Sequence, residues 1–383
     1  MAESGLVAIA KKEFFDHLRS RKFLVILGIL LIVVIVGILN GVSDYHAKVQ
    51  EYNSLQQLVP PSSEYYSILP EQMKLPPTVL IIFYRMSTLF TVIGGILGIA
   101  MGFDLITKEK ESRSLKILLA HPVYRDEVIN GKALGGAAAI ALALGIVLIL
   151  SMATLLIIGI VPTGSEFLLI LFFSAVTFLF IFTYFAIGLL MSTVCEESGK
   201  SLIYTLIVFM ILGSLLPTVV SSPFVTDSII GPMPEMPQVL TDQMMTWTDK
   251  ANQTQDAAVV KNQNHDAWDN YDRQIREHGD RQVQLRDIQY LFSPDKNYEK
   301  ITTVLTSPSM TRYLLYATTV EGPVQRIDNE GRDMSVFILY LPKITFDFSG
   351  ILALIWGNVV ALLVLPSVFF GVAYVRFMRM DIR

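Results

Sequence analysis

Charge is what this 383-residue sequence has least of: Asp, Glu, Lys and Arg make up 17% of it, where soluble globular chains carry about 25%. With 52% hydrophobic residues, that deficit excludes an ordinary water-soluble globule. It turns attention to apolar run length, because a bilayer core needs about 20 predominantly apolar residues per helix. Cysteine is nearly absent, and the single Cys195 excludes an intrachain disulfide and a thiolate metal cluster. The net charge of −4 is too small and too mixed to attract a polyanion, so no nucleic-acid partner is expected.

Motifs of catalysis are also lacking. The five histidines, His17, His46, His121, His265 and His278, are scattered, and the last two lack ligand spacing. There is no H-E-x-x-H and no G-x-S-x-G, and the spans hold no paired carboxylates to relay protons. Gly199-Lys200-Ser201 imitates the end of a phosphate-binding loop. The first glycine of G-x-x-x-x-G-K-[ST] is Val194 here, and a membrane helix rather than a strand precedes it. Gly199 reads as a tight-turn residue. No catalytic residue, metal or cofactor is expected in this chain.

What the sequence does have is long apolar runs. Residues 1–22 put Val7, Ala10, Phe14 and Leu18 on one helical face and most charges elsewhere, the pattern of an amphipathic helix lying in the membrane interface. About 20 polar and amphipathic residues before a spanning run do not resemble a cleavable leader. Phe23–Leu39 is the first span, and the polar, proline-containing loop 41–77 reads as irregular or short helices. Spans follow at Thr78–Phe103, Ala133–Ile160, Phe167–Cys195 and Ser201–Thr218, with short turns at Val161–Glu166 and Glu196–Lys200. Gly135 and Gly136 open the third span with the small residues that let helices pack closely in lipid. Arg85, about two turns inside the second span, has two readings: a membrane-embedded substrate or ion contact, or a side chain reaching the outer headgroups. Residues 227–347 are polar and helix-favouring, with Ser335–Leu341 open to a strand or a membrane-proximal anchor. Asn252-Gln253-Thr254 is a glycosylation sequon, relevant only to an organism that glycosylates its surface. Phe348–Val375 is the sixth span, closed by a basic tail to 383.

The fold expected is therefore an all-α, polytopic, cell-membrane protein with six transmembrane helices and both termini on one side. Fifteen Lys/Arg lie in about 64 residues of the termini, the 107–132 segment and the fourth loop. The other side has two in loop 41–77, none in 161–166, and twelve against eighteen acids in 227–347. The positive-inside rule makes the first set cytoplasmic and 227–347 a mostly helical external domain between helices five and six. Residues 23–226 then carry helices one to five, and 348–383 the sixth helix and cytoplasmic tail.

Between spans two and three lies TKEKESRSLKILLAHPVYRDEVINGK, Thr107–Lys132, a charged island with an apolar middle. It has the pattern of a short amphipathic helix at the membrane surface, ended by His121-Pro122 because the residue before proline is pushed out of the α region. Glu111, Leu115, Leu118, Leu119, Pro122-Val123, Arg125 and Gly131-Lys132 fall in the register E-x-G-T-[LIV]-x-x-[LIV]-L, then x-x-P-[VI]-x-R, then G-K. That pattern resembles the hallmark of type-2 ABC exporter permeases, and the six-span plan extends the likeness over nearly the whole chain. The large insertion between spans five and six is similar to the branch of nitrous-oxide-reductase maturation and sodium-efflux permeases. Arg113-Ser114 departs from the usual Gly-Thr, so the family's glycine hinge is expected to have become ordinary helix here.

The resemblance implies a homodimer or pseudo-dimer of permeases above two ATP-binding subunits, with ATP bound by the partner and not by this chain. The segment 107–125 would be the coupling helix. Leu115, Leu118 and Leu119 would anchor it in the ATPase, with Glu111, Arg113, Pro122 and Arg125 at the contact. The function expected is export powered by that separate subunit. An alternative is ATPase-driven mechanotransmission to an external protein partner, and a third reading is a scaffold without an ATPase. Transport predicts a path lined by Ser151, Thr154, Thr177, Thr183 and Asn358, unless those side chains bond their own helix backbone; mechanotransmission predicts tightly sealed spans.

Overall fold

A computed structural model of the chain describes residues 5–62, 77–114, 124–242, 265–306, 324–327, 333–336 and 348–380. Helix α1, Gly5–Arg19, stops one residue before α2, Arg21–Leu58. Ser20 between them is extended and its Oγ accepts the Phe23 N–H at 3.1 Å, a side-chain N-cap that restarts the helix. The irregular loop expected from residue 41 is corrected: α2 runs 38 residues, well past the apolar stretch. Residues 40–58 contain no proline and one glycine, so nothing breaks the helix before Pro60-Pro61.

Helix α3, Leu80–Gly102, turns at 103–106 into the short α4, Thr107–Glu111. Helix α5, Arg125–Ile157, ends where Gly159 takes φ +84°, with Gly159 N–H donating to Leu156 O and Ile160 N–H to Leu155 O, a left-handed glycine stop. Helix α6, Gly164–Val194, starts at the extended Thr163. Glu166 accepts the Thr163 N–H at 2.9 Å and also the Val79 N–H at 3.1 Å, so one carboxylate caps α6 and holds the start of α3 beside it.

Span five is compound. Helix α7, Ser198–Met210, passes through a π-helical turn, Ile211–Leu215, into α8, Leu216–Val220. Pro217, in α8, has no N–H to complete the helical ladder, and the wide turn lies just before it. Gly199 lies within α7, which corrects its reading as a turn residue; the corner is 195–197. Among the described residues, six helices are long and apolar enough to cross a membrane, over Arg21–Leu58, Leu80–Glu111, Arg125–Ile157, Gly164–Val194, Ser198–Val220 and Gly350–Met378.

The chain divides into two compact units. The first holds residues 1–217, 290–310 and 345–383. In it α3 lies along α6 at backbone distance: a Cβ on Gly98 would meet Ile181 O at 2.3 Å, and one on Gly102 would meet Phe185 O at 2.4 Å. Helix α12, Phe348–Met378, covers another side of α6, and α1 lies against α5.

The second unit holds residues 218–289 and 311–344. It contains α9, Pro223–Ile230, and the long polar helix α10, which runs His265–Tyr290. His278 Nε2 is 2.9 Å from Gly231 O, joining α10 to the turn after α9. An antiparallel ribbon pairs β1, Val324–Ile327, with β2, Asp333–Val336, so the described residues of this unit include a small sheet beside the helices. Of Ser335–Leu341, the first two residues are in β2; the others lie outside the described residues, as does Asn252.

The segment 227–347, read from the sequence as one domain, is not packed as one. Helix α11, Pro294–Thr306, belongs to the first unit and packs among α3, α6, α12 and the π-helical turn. Tyr298, Ile301 and Leu305 on this helix are fully buried.

Candidate functional site

The charged island begins where α3 turns into α4, and its first residues are bound to neighbouring spans. Ser192 Oγ in α6 accepts the N–H groups of Ile106 and Thr107 at 2.8 and 3.0 Å, while Ser201 Oγ in α7 donates to Phe103 O at 2.6 Å. Lys110 Nζ donates to Thr193 O and Cys195 O at 2.9 and 2.7 Å, placing a cation on the last carbonyls of α6. Glu111 Oε1 accepts the Ser198 N–H at 2.6 Å, placing an anion on the first turn of α7. Each charge complements the partial charge of the helix end it meets.

Lys132 lies at the centre of the next contact and is 1% exposed. Its Nζ is 2.6 Å from Glu13 Oε1 in α1 and 2.6 Å from Glu109 Oε1 in α4. Gly131 and Gly135 let α1 come this close, since a Cβ on either would lie 2.7 Å from Ile9 or Glu13 side-chain atoms. Two carboxylates share one ammonium, and Glu109 Oε2 is buried with no hydrogen-bond partner among the described residues. His17, one turn beyond Glu13, has a buried Nε2 that is likewise unpartnered among the described residues; burial pushes its pKa down, with Glu13 opposing the shift. Beside it Lys22 pairs with Asp104 at 2.7 Å, tying α2 to the end of α3.

Of the residues expected to contact an ATPase, Leu115, Leu118, Leu119 and Pro122 lie outside the described residues, within 115–123. Glu111 is surface-exposed even as it caps α7. Arg125 Nη1 donates to Met380 O at 2.9 Å and Met378 O at 3.3 Å, capping the end of α12. Arg113 corrects an expectation: its φ is +57°, so it is not ordinary helix. Arg113 therefore holds a left-handed backbone that glycine would favour. Arg85 pairs with Asp44 of α2, a partner hidden from sequence reading because the two stand 41 residues apart.

A second polar cluster lies inside the bundle; Thr177 and Asn358 are legible in the sequence as polar span residues, but their partners on α11 are not. Asp295 in α11 accepts a hydrogen bond from the Tyr184 hydroxyl, Tyr298 Oη lies 3.1 Å from Thr177 Oγ1, and Asn358 Nδ2 donates to Asn297 Oδ1 at 2.8 Å. The signal is present in the sequence as P-D-K-N-Y, but the segment is too short to read as membrane-embedded. Ser151, Thr154, Thr177 and Thr183 each donate to the carbonyl four residues back, at 2.7–2.9 Å, so their hydroxyls serve their own helices. Thr177 and Asn358 additionally reach α11.

No curated protein matches the chain. The family description "ABC-2 family transporter protein" matches residues 7–382. Permeases of this kind are the membrane component of a transporter whose ATP-binding subunit is a separate polypeptide. With a family match over nearly its full length and, among the described residues, six helices long and apolar enough to cross a membrane, the chain belongs to the ABC-2 transporter family and is a multi-pass membrane permease.

Proposed function

We propose that the protein exports a substrate by alternating access, as a homodimer or pseudo-dimer driven by an ATP-binding subunit seated on residues 107–132 at the cytoplasmic face. The observation that carries this reading is the way both flanks of 115–123 are tied into the bundle. On one side Glu109, Lys110 and Glu111 reach α5, α6 and α7; on the other Arg125 reaches α12. A push on the intervening segment is delivered to four spans at once, which suits a handle. Leu115, Leu118 and Leu119 supply its apolar anchor, with Arg113 at the rim. The basic character of this end supports a cytoplasmic orientation, with α1 at the lipid interface and the bulk of the polar region expected at 227–347 outside.

The test is ATP hydrolysis in proteoliposomes that contain the permease with its ATP-binding subunit, with and without candidate substrates. Hydrolysis that requires both chains and moves substrate across the bilayer supports export. Hydrolysis by this chain alone overturns the division of labour, and hydrolysis that moves nothing across a substrate panel overturns the transport reading.

A further inference from the structure

The second unit holds an open cavity of about 500 Å³ between α9 and α10, and the residues that line it fall within 221–282 of that unit. The volume lies in the range of roughly 300–1,000 Å³ typical of small-molecule sites. Helix α10 turns Asp272, Ile275, Arg276 and Gly279 towards it, positions three or four residues apart and so on one helix face. The facing wall is Pro223 and Asp227 of α9, with Met233 from the turn that follows. Gly231 stops α9 at φ +98°, its N–H donating to Asp227 O at 3.0 Å. His278 Nε2 lies 2.9 Å from Gly231 O, so the two walls are held together at this turn.

Gly279 leaves part of this space open. A glycine inside a helix costs about 1 kcal/mol relative to alanine, and here no close neighbour requires one, since a Cβ on Gly279 would meet nothing within 4 Å. The room its missing side chain leaves belongs to the cavity. The walls combine two chemistries: Pro223, Met233 and Ile275 are apolar, while Asp227 and Asp272 place one carboxylate on each helix. Arg276 on the α10 face offsets only one of those two negative charges.

We propose that the cavity between α9 and α10 is a binding site for a small aliphatic amine. The carboxylates of Asp227 and Asp272 accept N–H bonds from ammonium groups, the charge-assisted kind that is about twice as strong as a neutral hydrogen bond. Pro223, Met233 and Ile275 take the hydrocarbon chain out of water. An anion of the same size would meet two carboxylates, and a neutral one would forgo the charged contacts. Binding stands on this cavity alone and requires neither transport nor ATP hydrolysis; that the amine arrives from outside the cell rests on the orientation proposed above.

The test is calorimetric titration of the purified full-length permease, in nanodiscs of zwitterionic phosphatidylcholine that leave both faces accessible, with three probes of one chain length. These are 1,5-diaminopentane, the neutral 1,5-pentanediol and the dianion glutarate, each corrected against empty nanodiscs. The native chain is expected to bind the diamine saturably and the other two at least about tenfold more weakly. Asp272→Asn should weaken diamine binding at least about tenfold, as loss of a charge-assisted contact implies. Gly279→Leu keeps both carboxylates and fills the cavity, and should abolish binding while the unfolding midpoint stays at or above the native value. Absent diamine binding to the native chain, native affinity in Asp272→Asn or in folded Gly279→Leu, or equal binding of glutarate overturns the site. ATP hydrolysis by the assembled complex is scored separately: hydrolysis without diamine binding rejects the site alone, and diamine binding without hydrolysis rejects the ATP-driven reading alone.

Discussion

Lys132 in α5 and Glu13 in α1, 119 residues apart in sequence, meet at 2.6 Å in a buried ion pair that Glu109 of α4 completes. The contact binds the N-terminal helix, the start of the charged island and the third span at one point. Because one ammonium answers two carboxylates, the geometry depends on that ammonium more than on either acid.

Lys132→Ala leaves Glu13 and Glu109 facing each other without a cation. A loss of about 3–5 kcal/mol is expected, the usual consequence of removing one partner from a buried pair. The triple replacement Glu13→Gln and Glu109→Gln with Lys132→Met, which leaves no unpaired charge in the cluster, should lose much less. Thermal unfolding midpoints of the purified permease check the difference, and equal losses would contradict the pairing.

Gly135→Ala places a methyl 2.7 Å from Glu13 Cβ and 2.8 Å from Ala10 O. Backbone stands in the way, so α1 must shift, at a cost of about 1–3 kcal/mol for overpacking. Gly145→Ala, on the same helix with nothing within 4 Å, is the control and should be neutral or better. Their unfolding midpoints should separate accordingly.

Arg113 holds φ +57° without the freedom of glycine. Arg113→Gly removes left-handed strain of about 1 kcal/mol and should raise the unfolding midpoint, whereas Arg113→Val should lower it. The reverse order would show that the backbone is not left-handed at this position.

His17 is held neutral by burial, with its pKa below the ordinary 6.5. The unfolded chain then takes up a proton before the folded one does. Stability is full above pH 6.5 and falls as pH drops through the lower folded value. His17→Asn should flatten the pH dependence of the unfolding midpoint between about pH 7 and pH 5, and an unchanged slope would assign that dependence to other groups.

Much of this was legible in the sequence, because apolar runs such as Phe167–Cys195 leave a helix in lipid few alternatives. The small residues at Gly135-Gly136 announced close packing, and both glycines are contact points, Gly136 against Phe185. Pairings across long separations were not legible: Lys132 stood in the hallmark G-K, but nothing local pointed to Glu13. Helix α11 was hidden for a different reason. Its 13 residues fall short of a span, and Asp295, Lys296, Glu299 and Lys300 mark it as water-facing until α6 and α12 are seen to supply partners. Arg113 misled in the opposite sense, since a side chain that suits ordinary helix sits on a left-handed backbone.

If the island is the handle for an ATP-binding subunit, Leu118→Asp should remove the subunit's grip on the permease. Arg125→Glu also removes the cap on α12, so Leu118 gives the cleaner readout. Co-purification of the ATP-binding subunit with the Leu118→Asp permease should be lost, while membrane insertion and the unfolding midpoint stay at native values. Undiminished co-purification from such a folded variant would contradict the account.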